Sequence, residues 1–142
     1  MKLAEAMKEK SRLKKKITAL REELERAADG KEGSDANTKD LLMDLEESLR
    51  RLDRLTAAIY RTCSQVRDEG KTLTQLICTR DTLFFRQELY RKLLRLAEGA
   101  ENPSPAGLDL SGLRDRAQRT KEEIRSLNDQ ILKAGWTSEL IE

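Results

Sequence analysis

Residues 66–75 read VRDEGKTLTQ. Gly70-Lys71-Thr72 is how the phosphate-binding loop of a nucleotide enzyme ends, so this stretch decides between a strand-loop-helix nucleotide fold and a turn between two helices. The loop requires Gly-x-x-x-x-Gly-Lys-Ser/Thr behind a strand, because the strand aims backbone amides at the phosphate. Here the first glycine position is Gln65, and a long helical pattern precedes it. Gly70 suits the left-handed conformation that closes a helix. Thr72 and Gln75 have the spacing of a capping box, in which the hydroxyl accepts a free backbone N–H and the glutamine reaches back. The stretch predicts a helix stop, a turn and a helix start at Leu73, with no nucleotide site.

Apolar residues at heptad spacing flank it on both sides. Upstream, from about Lys39 to Arg67, one seam holds Leu42, Leu49, Thr56 and Cys63 and the other Leu45, Leu52, Ile59 and Val66; Leu41 and Leu55 widen the stripe. Further upstream, from about Lys2 to Ala28, the seams hold Leu3, Lys10, Ile17, Leu24 and Ala6, Leu13, Leu20, Ala27. Lys10 alone breaks that pattern, and its long stem can carry the charge outward. Between these two, Gly30 and Gly33 are stop signals and Asp35, Asn37 and Thr38 are candidate N-caps. Downstream of the turn, a third pattern runs to about Glu98, where GAENPSPAGLD (99–109) carries both prolines of the chain. A fourth follows from about Leu110 to Ala134, with Leu110, Ala117, Ile124, Ile131 and Leu113, Thr120, Leu127 on its seams. Gly135 is read as its end, and Trp136 as an anchor for the short tail.

The predicted fold is a single all-α domain over residues 1–142, with helices at roughly 2–28, 39–67, 72–98 and 110–134. Short connections make successive helices antiparallel. The expectation is an elongated four-helix bundle, or long helical hairpins with coiled-coil-like seams.

The third pattern is apolar on two sides. Leu73, Leu76, Ile77, Leu83, Phe84, Tyr90 and Leu94 gather on one face at about 100° per residue; Cys78, Phe85, Leu89 and Leu96 gather nearly opposite. Two apolar faces require two partners, and a second copy of the chain supplies the second. Cys78, Phe85, Leu89 and Leu96 are therefore the candidate oligomer interface. Arg80 and Gln87 interrupt the first face. In a hairpin centred on Gly70, Arg61 and Thr62 come level with Arg80 and Asp81, about 13 Å from the turn. Arg61, Thr62, Arg80, Asp81 and Gln87 thus form a candidate polar layer. It reads either as a lock on helix register or as a site for an anion or small ligand between the second and third helices. Cys63 and Cys78 come level by the same count but on different faces, so each reads as a small packing residue.

Composition narrows the chemistry. Of the 142 residues, 38% are charged and 4% aromatic, which fits helices with narrow seams and lacks the side chains that fill strands. The chain has no histidine, so His-dependent nucleophile pairs, the usual zinc sites and Glu-x-x-His di-iron centres cannot be built. No metal or cofactor is expected, and no enzymatic role. Twenty-eight basic residues against 26 acidic ones leave a net charge of +2, too slight an excess to suggest a nucleic-acid partner. The basic run Lys14-Lys15-Lys16 reads as a solvated helix face. There is no membrane-length apolar stretch, and MKLAEAMKEKSRLKKK lacks a signal peptide's apolar core. With two cysteines, the expectation is a cytoplasmic protein with reduced thiols.

Four stretches carry a resemblance: MKLAEAM at the start, IYRTCSQV (59–66), EGKTLTQLICTRDTL (69–83) and AGWTSEL (134–140). In that order they resemble the septicolysin-like family of small bacterial helical proteins of uncharacterised function. The block around Gly70-Lys71-Thr72-Leu73 and Arg80-Asp81 is the most specific. An Asn usually follows the Arg-Thr pair in that family, where this chain has Cys63. The family label implies a membrane-active cytolysin. The residues themselves favour a non-enzymatic structural or interaction protein that self-associates, with room for a further, unknown protein partner.

Overall fold

In the computed structural model, residues 1–30, 35–99 and 109–142 are described, with the backbone alone for 35 and 36. The elements are α1 (Leu3–Ala28), α2 (Asp35–Gln65), β1 (Arg67–Asp68), β2 (Lys71–Thr72), α3 (Leu73–Glu98) and α4 (Leu110–Thr137). Their contacts divide into two compact units, Met1–Val66 with Gly135–Glu142, and Arg67–Ala134.

In the first unit α1 and α2 run antiparallel. Lys16 meets Asp44 at 3.0 Å, and Arg51 meets Glu9 at 2.9 Å. The α1 seam is buried as its spacing predicts, at Leu3, Ala6, Leu13 and Leu20. Lys10 turns its ammonium over the Tyr60 ring at 5.3 Å, keeping the charge off the apolar interior. The N–H of Lys2 donates to the Glu5 carboxylate, which caps the start of α1. Gly30 takes φ +70° just past its end, as a C-terminal stop should. Gly33 and both prolines lie outside the described residues.

The face of α2 differs from its predicted seam. Leu42 and Leu49 are exposed, while Leu41 and Leu55 are half-buried and Ser48 is buried. Leu41, Leu45, Ser48, Leu52, Leu55, Ile59 and Thr62 follow a 3-4 spacing just as well as the predicted line. Ser48 and Thr62 are the polar members of this stripe, and both are buried. The helix also starts at Asp35, not near 39, so Asn37 and Thr38 lie in its first turn and do not cap it. It ends at Gln65.

The turn contains a structure that the helical reading missed. Arg67 pairs with Thr72 and Asp68 with Lys71 in a minimal antiparallel ribbon. Glu69 and Gly70, its two loop residues, take φ +50° and +82°. Positive φ at both is the two-residue hairpin turn whose twist matches paired strands. A capping box opens α3: the N–H of Gln75 donates to the Thr72 hydroxyl at 3.1 Å, and the N–H of Thr72 donates to Gln75 Oε1 at 2.8 Å. The Gln130 amide donates to the Asp68 carboxylate at 2.8 Å and ties this hairpin to α4.

In the second unit α3 and α4 run antiparallel, with Arg80 bonded to Asn128 and Arg114 to Glu98. Leu73, Leu76 and Leu83 of α3 are buried, as are Leu113, Ile124, Ile131 and Ala134 of α4. Gly135 does not stop α4, which runs on through Trp136 to Thr137. A Cβ at Gly135 would lie 3.4 Å from the Ala4 Cβ, an ordinary van der Waals contact, so Gly135 packs against the start of α1 without its missing side chain being what the contact requires.

Candidate functional site

Three surfaces of the chain could meet a partner or a ligand, and each follows from how its helix is held. The first is the outer face of α3. The inner face is occupied by Leu73, Leu76 and Leu83, which turns the residues half a turn away toward solvent. Phe85 is 67% exposed, Leu96 72% and Leu89 45%; Cys78 is exposed as well. Residues 78, 82, 85, 89, 92 and 96 alternate in steps of four and three, the spacing of a coiled-coil seam. Thr82 and Lys92 are its polar members. Phe84, expected on the inner face, is 42% exposed.

A second feature is built where three remote stretches of the first unit meet. The N–H of Leu3 donates to the Ser138 carbonyl at 3.0 Å, and the N–H of Leu140 to the Met1 carbonyl at 2.9 Å. These bonds lay the tail antiparallel to the first residues, with Lys2 bridged to Glu139. The Lys2 ammonium also reaches the Glu139 carboxylate at 2.6 Å and, with the N-terminal ammonium, holds that carboxyl below its usual pKa. Thr62 completes the clamp. Its hydroxyl donates to the Ala58 carbonyl and accepts the N–H of Ile141, each at 2.8 Å. Trp136, read from the sequence as an anchor, stands half-exposed in the last turn of α4 beneath the Lys8 ammonium, 4.6 Å from the ring centroid.

Beside the clamp opens a groove of about 590 Å³, with Arg51, Arg54, Ala58 and Arg61 along one edge and Leu140 across from them. Those four α2 residues recur at intervals of three and four, so they form one stripe. Arg51 is engaged by Glu9, and Arg54 lies 3.9 Å from Glu47. Arg61 has no ion-pair partner among the described residues.

The residues of the predicted polar layer fall in different units. Arg61 and Thr62 belong to the first; Arg80, Asp81 and Gln87 belong to the second. Within its own unit Arg80 is half-buried, and its Nη1 donates to the Asn128 amide oxygen at 3.3 Å. Its Nε is buried without a hydrogen-bond acceptor among the described residues, 3.9 Å from the Asp81 carboxylate. Asp81 is exposed and Gln87 half-buried. Asn128, the partner of Arg80, was missed by the sequence reading. Its signal was a polar residue at the 3-4 spacing between Ile124 and Ile131. Cys63 is buried, which raises its thiol pKa against the opposing pull of Lys10. Both cysteines are free.

Among the described residues there is no group of His, Cys, Asp and Glu able to hold a metal ion. No described helix is long and apolar enough to cross a membrane. No curated protein matches the sequence. The chain is similar to the crystal structure of a functionally unknown conserved protein from Corynebacterium diphtheriae, at 28% identity, with 99% of each chain covered and a TM-score of 0.84. Residues 10–140, nearly the whole length, match a family described as a family of unknown function, DUF6847. The chain belongs to that family.

Proposed function

We propose that the protein is a non-catalytic interaction protein that self-associates through the outer face of α3. One observation carries this reading: Phe85, Leu89 and Leu96 stand exposed on a single heptad line of a helix whose opposite face is already buried. Scattered exposed leucines are ordinary, whereas bulky apolar residues aligned at seam spacing mark an interface. Replacing both Phe85 and Leu89 by lysine is expected to abolish association while leaving the helix content unchanged. Sedimentation velocity at tens of micromolar checks this. A wild-type chain that sediments as a monomer sinks the reading, and so does a double variant that assembles as before.

A second reading, anion binding, is favoured by the arginine groove, where Arg61 extends without an ion-pair partner among the described residues. Titration calorimetry with inorganic phosphate is its test. Binding that disappears in Arg61→Ala supports it, and no measurable heat at millimolar phosphate removes it. The lytic activity implied by the septicolysin-like resemblance is the weakest reading, and a lack of dye release from liposomes at micromolar protein ends it.

A further inference from the structure

Resting on the self-association reading, we infer that two copies of α3 pair antiparallel about a two-fold axis level with residue 87. The seam fits itself in that orientation. Phe85 faces the second copy's Leu89, Thr82 faces its Lys92, and Cys78 faces its Leu96, since each pair of numbers sums to 174. Every layer then sets one seam position against the other kind, as antiparallel helix pairing requires.

The lysine in the seam favours this orientation over the parallel one. Parallel pairing sets each seam residue against its own copy, so Lys92 would meet Lys92 inside the interface. Antiparallel pairing puts that ammonium beside the Thr82 hydroxyl instead. It also brings Asp81, at the edge of the seam, within reach of the second copy's Arg95, and the two-fold axis makes this pair twice. Asp81 is exposed, and its ion pair with Arg80, at 3.9 Å, is loose. Glu88 approaches its own copy near the axis, but Arg91 neutralises it within the same helix at 2.6 Å. Arg86 also approaches its copy, at the flanking position on the other side of the seam, where its exposed guanidinium keeps water around it.

Cross-linking separates the orientations. Cys78 and the second copy's Cys78 would lie about 27 Å apart along the antiparallel pair, too far for a disulfide. Leu96→Cys, at an exposed site, is expected to give a covalent dimer under mild oxidation, with peptide mapping showing a bond between residues 78 and 96. The same two residues on one helix are about 27 Å apart, so that bond must join two copies. Wild type and the double variant Leu96→Cys, Cys78→Ser are expected to give no such dimer. Asp81→Arg is expected to weaken dimerisation about tenfold, through two symmetric exposed pairs, and Arg95→Asp in the same chain to restore it. A Cys78–Cys78 bond in wild type, or a 96–96 bond in the double variant, overturns the antiparallel register. A chain that sediments as a dimer but forms no 78–96 bond overturns it too, and leaves self-association standing. A monomeric wild type overturns both.

Discussion

Leu73→Ala is expected to lower the unfolding free energy by about 3 kcal/mol, within the 2–5 kcal/mol range for truncating a fully buried leucine. Leu73 has no exposed surface, and it is the first residue of α3, immediately after the Thr72 cap. The substitution removes apolar contact and leaves a cavity, because the backbone is held by the capping box and by the hairpin before it. The helix start itself should persist, since alanine is the better helix former. Urea denaturation followed by circular dichroism measures the loss. A change below 1 kcal/mol would mean that Leu73 is less tightly enclosed than its burial indicates.

Thr62→Val is expected to cost about 1–3 kcal/mol, even though valine has nearly the same shape. The cost arises from the tail and not from the core. Thr62 is fully buried, and its hydroxyl is the acceptor for the N–H of Ile141. Valine leaves that amide without a partner in a part-buried site, and an unpaired buried donor loses water without compensation. Amide hydrogen exchange provides the specific readout: Ile141 should exchange faster in the variant, and Leu140 should follow if the clamp opens as a unit. Thr62→Ser retains the acceptor and should keep Ile141 protected. Unchanged exchange at Ile141 in the valine variant would show that Thr62 does not hold the tail.

These two positions show how differently the chain could be read in advance. Leu73 was legible because its signals are local. A left-handed glycine, a threonine and a glutamine within six residues specify a stop and a start, and the structure has both. Even there, the paired strands of residues 67–72 escaped a helical reading, since Glu69 at positive φ is a choice few non-glycine residues signal. Thr62 was placed in a layer with Arg80 by counting from the turn. Its hydrogen-bond partner is Ile141, 79 positions away, and no periodicity links the two. Arg80 was placed in the same layer, but its hydrogen-bond partner, Asn128, was identified by geometry alone. The outer face of α3 stands between these cases. Its apolar spacing was readable, while its exposure depended on which face the rest of the chain covered.

The sequence by itself determined the number of helices, their approximate ends and the turn at Gly70, because capping, helix stops and 3.6-residue periodicity act within a few turns of chain. It also determined the chemistries closed to a chain without histidine. Tertiary structure decided which of two nearly equivalent stripes of α2 turned inward, and α4 runs on past Gly135 with Ala4 packed against it. It also decided that the first residues, Thr62 and the tail meet in one clamp. Those outcomes depend on contacts between residues remote in sequence, whose close packing selects among faces and partners that local propensity leaves equal.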